Sequence, residues 1–331
     1  MDFPFPVLVC DIGGTNARFA LVSAKGAPLE PGPSLRTKDF PGLEAALAAV
    51  VPRLTARPRS LIVCAAGPVS GRTVKMTNAD WIIDGGEVAE RSGIEQGLLL
   101  NDFEAQAYSL PIIEPDWVTP LGSFEQRPGV QLILGLGTGL GAAALAEAGN
   151  RHLVLPSEAG HMDFGPLGPE ESALWPYLDR DALGRVCVET VLSGPGLLRL
   201  HLARCAAAGK PPAVSSEIEL IEKARADPHG GEAQTMRLCW TLTGRFAGDL
   251  ALAFLAKGGV TFAGGILPRI LNFCEQEKFR AAFENKAPYG EMMRAIGTRL
   301  VLTEDAVLAA MAAIAAGPED YAIDYAHRAW R

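Results

Sequence analysis

VLVCDIGGTNARFALV, residues 7–22, holds the decision about the fold. An apolar run ends on Asp11, two glycines and a Thr-Asn pair follow, and a second apolar run begins. A G-x-G-x-x-G entering a helix would indicate a dinucleotide site. Here ARFALV is strand-like, so the stretch reads as a glycine hairpin between two strands. The P-loop pattern ending in Gly-Lys-Ser/Thr is also missing from the chain. Gly13 and Gly14 carry no Cβ, so backbone N–H groups can touch a phosphate. Thr15 and Asn16 add side-chain donors, and Asp11 can hold Mg²⁺ through water. The plainer alternative is an ordinary turn in which Asp11 caps its own loop.

The hairpin has an echo. LGLGTGLGAAALA (134–146) repeats the plan of CDIGGTNARFALV (10–22), with Gly137, Thr138 and Gly139 at its turn. Two related lobes, each begun by a hairpin, explain it; chance similarity of two Gly-rich turns is the alternative. VTFAGGILPRI (260–270) reads as a strand, a turn at Gly264-Gly265 and a helix-like segment, suited to a flat ring lying against backbone. SGPGLL (193–198) places a glycine turn at a helix N-terminus, which favours anions.

Between these turns, LIVCAAGPV (61–69) and GLLLND (97–102) read as buried strands. Helical spacing marks 43–54, 104–110, 194–209, 217–226 and 233–258, the last a core helix. Strands alternating with helices predict a mixed α/β architecture. The length of 331 residues suits two domains, with 48% hydrophobic and 21% charged residues. A net charge of −8 argues against non-specific nucleic-acid binding. The longest apolar helical stretch, 306–316, is too short for a membrane span. MDFPFPVLV has no basic n-region or cleavage site, so no signal peptide is expected. Six scattered cysteines without a CxxC pair give neither a zinc site nor a disulfide framework, and a reducing cytoplasm is the expected setting.

DIGGTNAR, LLLNDFEA, GTGLG, LPSEAGHMDFGP, ETVLSGPGL and AGGILPR occur in an order and at a spacing that resemble bacterial glucokinases, in the superfamily of sugar kinases, chaperone ATPases and actin. The likeness runs from about residue 7 to about 316. It implies a two-lobed, actin-like (ribonuclease H-like) α/β fold with an interlobe cleft. The expected small domain is 1–111 plus 303–317, the large domain 112–302, and 318–331 a tail that packs on a neighbour or stays loose. The implied reaction is phosphorylation of glucose at its 6-hydroxyl by Mg²⁺-ATP, in a homodimer without nucleic-acid or membrane partners. Nucleotide contacts map onto Cys10, Asp11, Ile12, Gly13, Gly14, Thr15, Asn16, Gly137, Thr138, Gly264 and Gly265.

On the sugar side the resemblance points to Asn101, Asp102, Gly139, Glu158, His161 and Glu189. Asp102 ends an apolar strand and would be the general base, with the ordinary pKa of about 3.9; as an alternative it N-caps the next helix. Phosphoryl transfer has a loose transition state, so positioning and charge neutralisation do most of the work. Glu158 and His161 have the Glu-x-x-His spacing of some metal ligands. Pro156, Gly160, Gly165 and Pro166 instead indicate a loop, and carboxylates that accept from adjacent ring hydroxyls explain the mix better. Glu189 is assigned by the motif alone. Thr77, Asn78 and Trp81 line a cleft or form an aromatic edge strand with a polar turn.

Three positions depart from the family pattern: Cys10 and Ala159, each where glycine is common, and Thr190, where a longer residue is common. They bear on affinity and hexose selectivity, since none removes a reacting group. A kinase for another hexose or an N-acylhexosamine is the second reading, although such relatives carry a cysteine-rich zinc motif after the loop histidine that is missing here. A sugar-sensing regulator needs a basic helix-turn-helix that the chain does not show. An actin-like filament protein or chaperone ATPase would lack the Asn101-Asp102 and Glu158/His161 set.

Overall fold

A computed structural model describes residues 1–94 and 96–331. The chain divides into two compact units: Met1–Ile113 with Leu145–Leu155 and Thr303–Arg331, and Glu114–Ala144 with Pro156–Leu302.

The first unit is built on a six-stranded sheet. Its spatial order is Ala329–Trp330, Gln96–Asn101, Ser60–Ala65, Val7–Ile12, Asn16–Val22, Glu30–Arg36. Val7–Ile12, Ser60–Ala65 and Gln96–Asn101 run parallel, and beyond Val7–Ile12 the strands Asn16–Val22 and Glu30–Arg36 each run antiparallel to the strand before. SLIVCA (60–65) is buried at every position, as a central parallel strand with both faces covered must be. The helix Ala306–Ala316 packs on Val7–Ile12 and on the helix Asp102–Ser109. Its alanine-rich surface lets it lie close to both.

The second sheet repeats the plan. Its order is Arg151–Ser157, Leu140–Ala148, Gln131–Leu136, Gly259–Ala263, Thr298–Val301, Val118–Pro120. Gln131–Leu136, Gly259–Ala263 and Thr298–Val301 are parallel, and Val118–Pro120 closes the edge antiparallel. Leaving aside the short antiparallel edge strand, which comes last in chain order in the first sheet and first in the second, the remaining five strands of each sheet stand in the order third, second, first, fourth, fifth. The echo between 10–22 and 134–146 is therefore topological. Both stretches are a central strand, a tight turn and the strand that pairs beside it.

Beside the second sheet lies the helix Gly231–Ala253, against Gly194–Ala207, Glu217–Ala226 and Gln276–Glu284. After Gly264-Gly265 the helix-like segment is a 3₁₀ helix, Pro268–Phe273, with non-helical backbone at Ile270. An i→i+3 turn tolerates Pro268 at its start without further α-helical bonds.

The tail neither hangs loose nor waits for a neighbour. Ala329 and Trp330 pair antiparallel with Leu98 and Gly97, and Tyr321, Ile323 and Trp330 are buried. A Cβ on Gly97 would lie 2.1 Å from the Trp330 ring, so the absence of a side chain there makes room for the indole. Polarity misled the reading of this segment, because Glu319, Asp320, Asp324 and Arg331 alternate with residues that bury.

Trp330→Ala leaves a cavity over Gly97 and uncovers the sheet edge. It is expected to lower stability by about 3–5 kcal/mol, seen as a drop in the melting temperature of the unfolding transition. Unchanged melting would show that the tail is no part of the first unit's core.

Candidate active site

In the first unit, the parallel strands deliver their C-terminal ends to one edge. Ile12, Ala65 and Asn101 are register partners across three strands. Cys10 and Ile12 are fully buried in the core, so only their backbone is available to a ligand. Asp11 faces the other way. Its Oδ2 pairs with the Arg18 guanidinium, its register partner on the next strand, and its Oδ1 lies 3.4 Å from Cys64 Sγ. Burial, then the Asp11 charge, pushes the Cys64 thiol up, so it stays protonated and donates. Arg18 also donates to the Glu304 carbonyl (2.6 Å). Asp11 therefore does not cap its own loop. The turn is closed by Gly13 N to Asn16 O (2.9 Å) and by Thr37 Oγ1 to Gly13 O (2.8 Å).

Asn78 backs this turn: a Cβ on Gly14 would come within 2.8 Å of Asn78 Cβ. Trp81 is buried and donates to Phe40 O (2.8 Å), which makes it part of the core.

Asn101 caps the helix Asp102–Ser109. Its Oδ1 accepts from Phe103 N (3.0 Å) and Glu104 N (3.2 Å), and Glu104 Oε2 accepts from Asn101 N (3.3 Å). This is a capping box, in which N-cap and third helical residue satisfy each other's backbone donors. Asn101 Nδ2 donates to Gly67 O (3.0 Å). The capping alternative for Asp102 is thereby overturned, since the preceding residue does that work. Asp102 Oδ1 accepts from Phe103 N (3.0 Å).

The carboxyl of Asp102 is pushed up to about 6, first by burial and then by the Asp11 charge, against hydrogen bonds from Phe103 and Asn101 that lower it. The ordinary carboxylate value expected from sequence is thus corrected. Loss of water around a charged group at a strand end, with a second carboxylate nearby, favours the neutral form.

In the second unit, the Gly137–Gly139 turn closes through Gly137 N to Gly139 O (2.9 Å), and Gly137 O accepts from Gly194 N (2.8 Å). That nitrogen begins the helix Gly194–Ala207, whose N-cap Ser193 accepts from Gly196 N (3.0 Å). Thr138 is exposed. Gly264, at the end of the neighbouring strand, has φ +87°, and a Cβ there would lie 2.4 Å from Leu136 O. Only glycine accepts both conditions. Gly265 is open on the side where a Cβ would stand.

Glu158 and His161 flank a single 3₁₀ turn, Ala159–His161, and both are exposed. The loop is tied to the Glu189 segment by Phe164 N to Val186 O (2.9 Å) and Val188 N to Met162 O (3.0 Å). Thr190 closes the short helix Val188–Val191 through Cys187 N (3.3 Å). Glu189 Oε2 accepts from Leu140 N (2.9 Å) and fills the space a Cβ on Gly139 would need, at 2.3 Å. One oxygen of Glu189 is therefore committed to holding the glycine turn. Arg245 steadies the far end of the loop, donating to Gly165 O (2.9 Å) and Glu171 Oε2 (2.6 Å) and lying 4.1 Å from the Phe164 ring centroid.

The structure thus gathers Asp11, the first turn, Asn101 and Asp102 in one unit. It gathers Gly137–Gly139, Gly264-Gly265, Glu158, His161 and Glu189 in the other. Arg18, Glu104 and Arg245 were missed from sequence. Glu104 alone left a local signal, the Asn-x-x-Glu spacing of a capping box.

A family model described as glucokinase matches residues 8–317. A glucokinase of Sinorhizobium medicae (strain WSM419) is 40% identical over 333 residues, which cover 100% of this chain and 98% of the relative. The crystal structure of a glucokinase from an Antarctic psychrotroph superimposes with a TM-score of 0.80 at 30% identity, covering 94% of this chain and 99% of that one. A glucokinase from Balamuthia mandrillaris, solved in complex with glucose, has a TM-score of 0.80 at 21% identity and 93% coverage of both chains, which shows the shared fold.

The raised carboxyl has a consequence for stability. Its folded value of about 6 lies above the ordinary value of 3.8, so the folded state holds the proton more tightly than the unfolded one. The resulting penalty is absent below pH 4 and fully present above pH 6. Asp102→Asn is expected to be more stable than wild type at pH 8 by about 1–3 kcal/mol, and the gap should close on titration to pH 4. Denaturant melts of both proteins at the two pH values check this; an equal gap at both would refute the burial penalty.

Proposed function

The chain belongs to the glucokinase family of sugar-phosphorylating enzymes, and on that premise we propose that it transfers the γ-phosphoryl group of ATP to the 6-hydroxyl of glucose, with Asp102 as general base. One observation carries the assignment of the base. Asn101 does the capping, and the carboxylate beside it is buried at a strand end and pushed up to about 6. A base with a pKa near the working pH combines an adequate ionised fraction with real proton affinity. Asp102 takes the hydroxyl proton as the oxygen bonds to phosphorus and the bond to the leaving ADP oxygen breaks. Asn101, whose amide donates to Gly67 O, would hold a neighbouring hydroxyl of the sugar.

In the same reading Glu158, His161 and the uncommitted oxygen of Glu189 bind further sugar hydroxyls, and Gly139 brings backbone close. The backbone from Cys10 to Asn16 and the turn at Gly137-Thr138 receive the phosphates, and Gly264-Gly265 receives the flat base. Asp11 would hold Mg²⁺ through water, and the ion would supply charge neutralisation on the phosphates. The residue fits that role, because its Oδ1 meets only a weak thiol donor, at 3.4 Å among the described residues. The reading also takes the protein as a cytoplasmic homodimer, on the strength of the family resemblance.

Asp102→Ala is expected to lower kcat by about 10²–10⁴-fold in a coupled assay for glucose 6-phosphate, with glucose binding largely kept. Near-normal turnover would remove Asp102 from the chemistry. In wild type, kcat/KM should fall as pH drops through about 6, because the protonated carboxyl cannot accept the hydroxyl proton. An acid limb near pH 4 would contradict the raised value.

A further inference from the structure

The tail beyond the family-model match (residues 318–331) reaches the site from the far end of the chain. Arg328 Nη1 donates to Glu104 Oε1 (2.5 Å) and Nη2 to Glu104 Oε2 (2.7 Å). The contact spans 224 positions of sequence. Glu104 is 7% exposed, and its Oε2 is also the acceptor for Asn101 N. A two-pronged guanidinium fixes the rotation of a carboxylate as well as its charge. Arg328 thus determines where the reciprocal bond of the capping box falls. The same segment grips the strand that leads into the box, since Ala329 and Trp330 pair with Leu98 and Gly97.

We propose that the C-terminal segment Asp324–Arg331 is a strap that positions the reacting carboxylate: Arg328, through Glu104 and the Asn101 cap, sets the direction of Asp102. This rests on the reading of Asp102 as the base. Arg328 is a positioning residue and touches no substrate. Its removal leaves a buried carboxylate without its cation next to the cap, and Glu104 must turn toward water or another donor. Either response loosens the first turn of the helix on which Asp102 sits.

The full-length variants Arg328→Met and Arg328→Lys, assayed well below their melting temperatures, test the proposal. For Arg328→Met, kcat should fall by about 10- to 10²-fold, the scale of small misplacements of a catalytic group, while KM for glucose stays within about threefold. The fall should be smaller in Arg328→Lys, which keeps the charge and a single prong. Hydrogen exchange at the Phe103 and Glu104 amides, the two donors to the Asn101 cap, should quicken in both variants, while strand Asn16–Val22 keeps its protection. In the Asp102→Asn background, Arg328→Met should add no further loss, because the two act through one group. Unchanged kcat, or the same fold-loss with and without Asp102, overturns the strap. Near-normal turnover of Asp102→Asn alone overturns instead the assignment of the base. Should Arg328→Met fail to fold, Arg328→Lys decides by the same readouts.

Discussion

The amide of Asn101 occupies the one position where a helix must be capped. A helix start leaves backbone N–H groups without partners, and a strand that runs straight into a helix needs a side chain to satisfy them. Two adjacent polar residues, Asn101 and Asp102, stand at that junction. Because Asn101 accepts both Phe103 N and Glu104 N, Asp102 lies at the first helical position and shares only the Phe103 donor. Reversal of the two roles would leave the carboxylate tied down by backbone donors, which lower its proton affinity. The division of labour between neighbours is what makes a poised carboxylate compatible with a well-formed helix.

Around that junction the charges are balanced in pairs. The Asp11 charge raises the proton affinity of Asp102, and among the described residues Arg18 pairs with Asp11 rather than with Asp102. Arg18 comes from the register position directly across the hairpin, so the same hairpin that exposes backbone also carries the cation that pairs with Asp11. Asp102 has no such neighbour. Two carboxylates at one sheet edge thereby stand in different surroundings, one paired with a guanidinium and the other buried and held toward its neutral form.

Much of this was legible in the sequence. The glycine hairpins, the strands read at 61–69 and 97–102 and found at Ser60–Ala65 and Gln96–Asn101, and the helices beginning at 194 and 217 announce themselves through period and glycine turns, all of them local signals. Family resemblance supplied the functional assignments that locality could not. The proton affinity of Asp102 was misjudged, since burial depends on what the rest of the fold stacks over a residue. The tail was misjudged for a related reason. Trp330 finds its place only because Gly97 lies 233 residues earlier and has no side chain, and Arg328 is meaningful only beside Glu104. Long-range partners leave no periodic trace. The 3₁₀ form of 268–273 was likewise hidden, because helical spacing over six residues does not separate i→i+3 from i→i+4 bonding.

The repeated topology sharpens the asymmetry of function. Position by position, Gly137 of the second turn stands where Gly13 stands in the first, and Gly135 stands where Asp11 stands. The turns share strand order and tightness, but only the first is preceded by an acid. Each is also backed differently. Asn78 lies behind Gly14, whereas Glu189 lies behind Gly139 and holds Leu140 N. The backing of the first turn is neutral, while the carboxylate behind the second spends one oxygen on the backbone. Equivalent hairpins thus differ in their surroundings: one carries an acid on its own strand, the other draws an acid from a short helix up to its glycines. Divergence of these few positions, with the strand order unchanged, is enough to give a duplicated scaffold two different ends.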